Sequence, residues 1–265
     1  MIIDSHLHIS YLKKQKDFTT IKLDLLNLMA KNKIDYAIVI PDNVPNPQCA
    51  DLDELSELVK NEKKLSMIAT LAITKINKTN LIRIDTMFKK KEAIGFKIFP
   101  GHDPIYPTDK RLLPIILLCQ KYKLPFMIHT GINSGHPEVA KYNDPKYIRN
   151  LALKFPKLKI IIAHYFWPKL DYCFEMTEGL TNVYFDTSAL ADPEVIKASG
   201  GIKKIREILV KTIKRKSDSV IYGTDWPICS FEKHINLIQS LPISNELKKD
   251  IFFRNSLKLF PIKNN

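Results

Sequence analysis

The sequence predicts a single α/β domain folded as a (β/α)8 barrel, the TIM-barrel architecture. Short β-branched runs alternate with longer amphipathic stretches along all 265 residues, a pattern typical of βα units around a parallel sheet. Eight such units can be counted. No Gly/Ser-rich linker or low-complexity stretch divides the chain, so we expect one domain spanning residues 1–265.

The eight predicted strands are short, and several are apolar on both faces. This is expected when helices cover one side of a sheet and the barrel's own side chains fill the other. The predicted strands are residues 1–9, 35–40, 65–73, 93–99, 125–129, 159–164, 182–186 and 219–223.

Helical periodicity occupies the segments between the strands. The predicted helices lie near residues 20–31, 52–60, 80–91, 110–121, 145–154, 170–179, 202–214 and 231–240, with a final helix at 245–259. The longest irregular segments, 41–50, 100–109 and 131–144, each follow a predicted strand. Loops in that position form the rim that carries the active site of a barrel, so we expect these segments to shape a substrate pocket.

The chain is basic, with 41 Lys and Arg against 28 Asp and Glu and a net charge of +13. Such a charge suits nucleic acid or anionic small molecules. The lysines, however, are spread along the whole chain, and no RNA-binding signature with interleaved aromatics occurs. This distribution fits basic outer helices, so we do not expect nucleic acid as a partner. We expect a small-molecule substrate, for which the inward Lys97 favours an anionic group, and we consider a homodimer as the assembly.

The sequence does not predict a membrane or secreted protein. Its longest apolar run, 112–119, contains Pro114 and is too short to cross a bilayer. The N-terminus lacks the basic start and apolar stretch of a secretory signal. The cysteines, Cys49, Cys119, Cys173 and Cys229, are too far apart for a CxxC pair or a disulfide framework. We expect a cytoplasmic protein with reduced thiols.

The first predicted strand contains two histidines, His6 and His8, separated by Leu7. Strand side chains alternate in direction, so both imidazoles lie on one face and Leu7 on the other. A single buried histidine is usually satisfied by a backbone carbonyl. Two on the inward face of a barrel strand make half of a metal site, whose remaining ligands must come from other strands.

Three later strands end in a polar residue after an apolar run, namely His129, His164 and Asp225. Each alone is compatible with a cap or a core polar group, but all three fall at the end where barrel enzymes keep their active sites. Neutral imidazoles and a carboxylate suit zinc, and also manganese or iron. We expect one divalent metal ion, with zinc as the first choice.

Taken together, these motifs resemble the amidohydrolase superfamily, in particular the amidohydrolase-related branch that contains amino-carboxymuconate-semialdehyde decarboxylase. The resemblance covers nearly the whole chain and implies a barrel of the metal-dependent hydrolase type. The motifs that carry it are Asp4-Ser5-His6-Leu7-His8, Gly95-Phe96-Lys97-Ile98, His129-Thr130-Gly131, Ala163-His164, Tyr222-Gly223-Thr224-Asp225-Trp226-Pro227 and Asn255-Ser256-Leu257-Lys258-Leu259-Phe260.

The resemblance also implies roles for the site residues. The metal ligands would be His6, His8, His129 and Asp225, with His164 close to the bound water or the substrate oxygen. Metal binding lowers the pKa of water from about 16 to about 7, and Asp225 can take the proton and deliver it to the leaving group. His164 can stabilise a developing oxyanion, an effect of roughly 3 kcal/mol. Asp225 and His164 are therefore the predicted catalytic residues.

Lys97 has the parity of an inward side chain on the fourth strand, where a charged amine is costly without a partner. Three hypotheses remain open. Lys97 is a clamp for a substrate carboxylate, a member of a structural ion pair, or a carbamylated bridge between two metals as in other branches of the superfamily. We prefer the first two, because the resembled branch is usually mononuclear.

The sequence departs from the resembled family after His164, where bulky aromatic residues replace small ones. Phe166 and Trp167 are expected to narrow the pocket and contact the substrate. This puts any substrate carried over from relatives in doubt while leaving the metal site intact.

Four other polar residues carry less weight. His102 and His136 fall on predicted rim loops, within reach of substrate or of solvent alone. His234 falls in the helix after the eighth strand and is expected at the surface. Asp186, at the end of the seventh strand, either orients the site or caps the next segment.

The leading functional hypothesis is hydrolysis of a small ester, lactone or amide by metal-activated water, with an anionic group held by Lys97 or by a rim residue. The alternative on the same ligands is non-oxidative decarboxylation of a small unsaturated or aromatic acid. A TatD-like nuclease shares the opening histidines and would use the basic charge, but that family usually has an acidic ligand where this chain has Lys97. A non-catalytic scaffold predicts a decayed site, yet the ligands are all present.

Overall fold

The computed structural model describes residues 1–12, 14–43, 46, 48–132 and 136–262. Positions 44, 45, 47 and 133–135 of two predicted rim loops lie outside these ranges. Eight parallel strands are hydrogen-bonded in sequence order from β1 to β8. They are Ile3–Leu7 (β1), Tyr36–Val39 (β2), Leu65–Ala69 (β3), Ala93–Ile98 (β4), Phe126–Ile128 (β5), Ile160–Ile162 (β6), Val183–Asp186 (β7) and Val220–Ile221 (β8).

The first and last strands approach each other and close the barrel. Ser5 N donates to Tyr222 O at 2.9 Å, and Asp225 N donates to His6 O at 2.8 Å. Every observed strand lies within its predicted range and is shorter than predicted, because the hydrogen-bonded pairing ends before the apolar run does. The prediction of a (β/α)8 barrel is confirmed.

Helices cover the outside of the sheet in the described residues. They are Phe18–Lys31 (α1), Leu52–Val59 (α2), Lys78–Lys89 (α3), Leu113–Tyr122 (α4), Pro145–Lys154 (α5), Leu170–Met176 (α6), Pro193–Ala198 (α7), Ile202–Arg215 (α8), Phe231–Gln239 (α9), Asn245–Lys249 (α10) and Asn255–Leu259 (α11). Helix α7, a short helix that begins after the N-cap Asp192, was not predicted from the sequence. The predicted final helix is observed as α10, a π-helical turn and α11 in direct succession.

The hydrophobic residues form two clusters separated by the sheet. The larger one lies between the strands and the helices. The smaller one fills the barrel interior and consists of Ile38, Ile40, Ile68, Ile94, Phe99, Met127, Ile161, Ala163, Ile221, Leu259 and Phe260. The last two come from the end of α11, so the C-terminal segment completes the interior core.

The C-terminal motif is fastened to the barrel by two polar residues. Asn255 Nδ2 donates to Val220 O at 2.9 Å, and Ser256 Oγ lies 2.7 Å from Ser5 Oγ. These buried hydrogen bonds tie α11 to β8 and β1. They explain why asparagine and serine occur in an otherwise apolar stretch.

A register shift between β3 and β4 sets the direction of Lys97. Met67 pairs with Ala93 and Ala69 pairs with Phe96, so β4 has one more residue than β3 over this interval. Ile94 and Lys97 consequently both lie inside the barrel, with Gly95 at the irregularity.

Among the helices of the described residues, none combines the length and apolar character that spanning a membrane requires.

Candidate metal centre

A cavity of about 640 Å³ opens at the carboxyl ends of the strands. Its lining includes His8, Lys97, His129, His164 and Asp225, each of which lies in or after the C-terminal part of a different strand. The rim loops contribute further described residues, among them Asp42, Asn46, Cys49, His102, Ile132 and His136. Residues more than 200 positions apart in the chain therefore share one pocket.

The two histidines of β1 face the same side of the strand and meet Asp225. The Nε2 atoms of His6 and His8 lie 3.6 and 3.5 Å from Asp225 Oδ1. The other ring nitrogens are occupied, since His6 Nδ1 lies 2.7 Å from Asp186 Oδ2 and His8 Nδ1 lies 2.8 Å from Ile40 O. Carboxylate and carbonyl oxygens accept, so both rings carry their proton on Nδ1 and present Nε2 lone pairs to Asp225.

Asp225 is held in a tight turn at the end of β8. Its φ angle is 69°, in the left-handed region that few residues other than glycine adopt. The Asp4 carboxylate accepts hydrogen bonds from Thr224 N at 3.1 Å and from Thr224 Oγ1 at 2.6 Å, which fastens the preceding residue to β1. Burial raises the pKa of Asp225 to about 6, and the nearby Lys97 opposes that increase.

Burial lowers the pKa of His6, His8, His129 and His164 well below the ordinary value for histidine. Neutral imidazole is the form that binds a metal ion, so burial favours ligation. The ligand atoms of His6, His8 and Asp225 all lie within 4.8 Å of one another. The same holds for an overlapping set, His6, His164 and Asp186. These residues fit a divalent ion.

His129 lies beside these sets without belonging to either. Its ring centroid is 4.9 Å from that of His164, and its buried Nε2 has no hydrogen-bond partner among the described residues. A buried ring nitrogen without a partner is costly unless a ligand satisfies it. The geometry therefore brings three of the four predicted ligands together and places the fourth, His129, next to them with a nitrogen available.

Lys97 is only 1% exposed, and its ammonium group lies inside the site. Its Nζ is 2.7 Å from His6 Nε2 and 4.5 Å from the centre of the Phe99 ring. Burial lowers the pKa of Lys97 to about 8, while Asp225 and other carboxylates favour the charged form. Since His6 Nε2 has a single lone pair, it cannot accept from Lys97 and ligate an ion at the same time.

Asp186 performs both of the roles that the sequence left open. Its Oδ2 orients His6, while its Oδ1 accepts from His164 N at 2.9 Å and from Ser188 N at 3.2 Å. Ser188 Oγ in turn lies 2.9 Å from His164 Nδ1. The sequence analysis missed Ser188, although the polar run Asp186-Thr187-Ser188 after an apolar strand was a signal for it.

Phe166 and Trp167, the two aromatic residues predicted to contact the substrate, lie in different places. Trp167 lines the cavity, as predicted. Phe166 belongs to the hydrophobic layer outside the barrel, with its ring 6.0 Å from that of Tyr172, and it is not part of the described cavity wall. The cause is the left-handed backbone at His164, Tyr165 and Phe166, which breaks the alternation expected of an extended chain.

The remaining histidines also differ from one another. His102 and His136 both line the cavity, and His136 Nδ1 lies 3.3 Å from Glu138 Oε1. His234 was expected at the surface, which is wrong. It is fully buried and accepts a hydrogen bond from Ala191 N at 3.3 Å through Nε2, because α9 packs this face against the segment before α7.

Comparison with protein families gives a match over residues 70–262 to the family described as Amidohydrolase (Amidohydro_2). The matched segment begins after β3, so the histidines of β1 lie outside it and are placed by the three-dimensional structure. No curated protein matches this chain in sequence.

Solved structures share the fold at low sequence identity. An uncharacterized TIM-barrel protein from Bordetella bronchiseptica has a TM-score of 0.78 at 16% identity, with 97% of each chain covered. A probable 2-pyrone-4,6-dicarboxylic acid hydrolase from Acinetobacter baumannii with citric acid bound has a TM-score of 0.69 at 13% identity, covering 97% of this chain and 98% of that chain.

A third structure is a dihydroxybenzoic acid decarboxylase from Polaromonas sp. JS666, with bound manganese and the inhibitor 2-nitroresorcinol. It has a TM-score of 0.68 at 16% identity and covers 100% of this chain and 98% of that chain. At these identities the likeness establishes the fold alone.

Proposed function

The chain belongs to the amidohydrolase family, and on this premise we propose that it is a metal-dependent hydrolase of a small ester, lactone or amide that has an anionic group. The observation that carries the proposal is the convergence of His6, His8 and Asp225. The Nε2 atoms of both histidines lie 3.5 to 3.6 Å from Asp225 Oδ1 at the carboxyl ends of the strands. Unprotonated Nε2 atoms beside a carboxylate are the donors that a divalent ion needs.

The ion would be held by His6, His8, Asp225 and His129, whose buried Nε2 has no partner among the described residues. When bound, it supplies a nucleophilic hydroxide at neutral pH, because it lowers the pKa of water to about 7. Zinc is the first choice, and manganese or iron are the alternatives. Manganese occurs in the related decarboxylase structure from Polaromonas.

Asp225 is the residue that moves a proton in this proposal. Its Oδ1 faces the histidines of β1, and its Oδ2 lies 3.8 Å from His164 Nδ1. A carboxylate in this position takes a proton from the attacking water and returns it to the leaving oxygen or nitrogen. His164 lies on the same side of the cavity and contacts the water or the substrate oxygen.

The anionic group of the substrate is assigned to Lys97. Of the described residues that line the cavity, Lys97 is the one lysine, and no arginine accompanies it. A single buried ammonium favours one carboxylate on the substrate over two. Trp167 forms part of the wall of the same cavity and limits the size of the substrate.

Decarboxylation of a small aromatic or unsaturated acid is the second candidate. It is favoured by the rings of Phe99 and Trp167, which line the cavity and can pack against a planar substrate. In that reaction Lys97 would bind the carboxylate that leaves as carbon dioxide, and a protonated group would deliver a proton to the ring carbon.

The two reactions are separated by assaying the metal-loaded protein against a panel of lactones, esters and amides and a panel of aromatic carboxylic acids. Hydrolysis of a panel member that is lost in Asp225→Asn and retained in Asp24→Asn, a surface control, supports the proposal. Release of carbon dioxide with no hydrolysis supports the second candidate. Metal-dependent cleavage of single-stranded DNA would contradict both and favour the nuclease hypothesis.

A further inference from the structure

The hydrogen bonds around Asp186 have a fixed direction. Asp186 is fully buried, and its carboxylate accepts from two backbone N–H groups and from the Ser188 hydroxyl. A carboxylate that accepts these hydrogen bonds is an acceptor at Oδ2 as well, so the nitrogen of His6 that faces Oδ2 at 2.7 Å is the donor. The proton of the neutral His6 ring is therefore on Nδ1.

The same reasoning extends from Asp186 to His164 through Ser188. The Ser188 hydroxyl has one proton and donates it to Asp186 Oδ1. Its oxygen is then an acceptor for His164 Nδ1, 2.9 Å away. The proton of the neutral His164 ring is also on Nδ1, and its Nε2 has a lone pair.

We infer that Asp186 and Ser188 are positioning residues that fix the tautomers of His6 and His164, one directly and the other through a hydroxyl. One carboxylate thereby fixes which nitrogen carries the proton in two rings, one from β1 and one from the end of β6. The ring centroids of these histidines are 4.8 Å apart, so the two prepared rings serve the same site.

This arrangement changes the role of His164. A neutral ring with its proton on Nδ1 accepts at Nε2 and cannot donate a hydrogen bond from that atom. His164 is therefore an acceptor, not the oxyanion donor that the sequence analysis expected. Under the proposed function, on which this catalytic role rests, Asp225 takes one proton of the attacking water and His164 Nε2 accepts a hydrogen bond from the other.

Nitrogen chemical shifts test the inference without a substrate. Long-range 1H–15N spectra of the full-length protein labelled with 15N-histidine distinguish the two tautomers of each ring. They are recorded after chelator treatment and after loading with zinc, and the signals are assigned with single histidine substitutions. We expect the Nδ1–H form for His6 and His164 in both states.

Substitutions then identify which residue fixes which ring. Ser188→Ala should shift the His164 signals toward a mixture of tautomers and leave those of His6 unchanged, while Asp186→Asn should shift both. Ser188→Thr keeps the hydroxyl and should retain the wild-type His164 signals. Ser199→Ala is the matched control, because the Ser199 hydroxyl is buried without a hydrogen-bond partner in the described part of the chain.

Activity supplies an independent measurement. Loss of a residue that orients a ligand or catalytic histidine usually costs 10- to 100-fold, so we expect a fall of that size in kcat for Ser188→Ala with KM unchanged. A proton on Nε2 of His164 in the wild type, or unchanged spectra in Ser188→Ala, would overturn the inference. If the spectra agree but no panel substrate reacts, the proposed function fails and the assignment of the tautomers stands.

Discussion

The ammonium nitrogen of Lys97 lies 2.7 Å from His6 Nε2, the same nitrogen that the candidate metal centre requires. Lys97 therefore supplies a positive charge where an ion would bind. The three hypotheses for this residue make two different predictions for metal binding. As a clamp for a substrate carboxylate or a member of a structural ion pair, a charged Lys97 weakens binding of the ion, whereas as a carbamylated bridge it strengthens binding.

Replacing Lys97 with methionine should raise the affinity for zinc by about tenfold or more, equivalent to about 1.4 kcal/mol. The substitution removes a like charge and releases His6 Nε2. It should also raise KM for an anionic substrate, because the clamp is lost. Zinc affinity is measured by competition with a chromogenic chelator, with Lys159→Met as a control for a half-buried lysine that bonds the carbonyl of Lys258. Weaker zinc binding would favour the bridging hypothesis instead.

Gly223 lies where β8 meets β1, and a methyl group there would come within 2.9 Å of His6 Cβ. Gly223→Ala should destabilise the fold by about 1–3 kcal/mol through overpacking. Because the displaced residue is His6, zinc affinity should fall as well. Urea unfolding and zinc titration check the two effects. Gly179→Asn is the control, since no atom of the described residues lies within 4 Å of a Cβ at that exposed site and asparagine tolerates its positive φ. Equal stability of the two variants would show that a methyl group at position 223 does not overpack against His6.

His234 should make the protein less stable in acid. Burial lowers the pKa of His234 from 6.5 to about 4. Its Nε2 accepts a hydrogen bond from Ala191 N, and this bond is lost when Nε2 binds a proton. The unfolded chain binds this proton at a higher pH than the folded one does. Stability due to this group is therefore complete above about pH 6.5 and declines as the pH falls toward 4, by at most on the order of 3 kcal/mol.

The measurement is urea unfolding of wild type and His234→Gln at several values between pH 4 and pH 7. Glutamine can accept from Ala191 N but does not titrate, so the variant should lose less stability across this window. Other buried histidines contribute equally to both proteins and cancel in the difference. Parallel pH profiles would show that His234 does not contribute.

Phe166 and Trp167 should respond oppositely to truncation. Phe166 packs outside the barrel, so Phe166→Ala should cost about 3–5 kcal/mol of stability and leave KM nearly unchanged. Trp167 lines the cavity, so Trp167→Ala should raise KM several-fold for a small substrate and admit larger ones. Thermal unfolding and steady-state kinetics distinguish the two. A large increase in KM for Phe166→Ala would contradict this placement and indicate that Phe166 lines the pocket.

The sequence alone predicted the fold, which the structure confirms, and singled out the candidate site residues. Eight apolar runs separated by amphipathic stretches left few alternatives to a barrel. The strand and helix patterns could be recognised because each is a local property of the chain. The resemblance drawn from the motifs is confirmed by the family match. The spacing of His6 and His8 was sufficient to place both on one face, since alternation in a strand does not depend on the rest of the protein.

Only the tertiary structure decided which groups touch. Periodicity cannot show that Asp186 bonds both His6 and Ser188, or that Lys97 approaches His6 from β4, because these contacts join residues up to 180 positions apart. Nor could it place Phe166, whose direction depends on three consecutive left-handed residues, or His234, whose burial depends on how α9 packs. Local patterns specify elements and faces, whereas hydrogen-bond partners and tautomers depend on how distant strands are brought together.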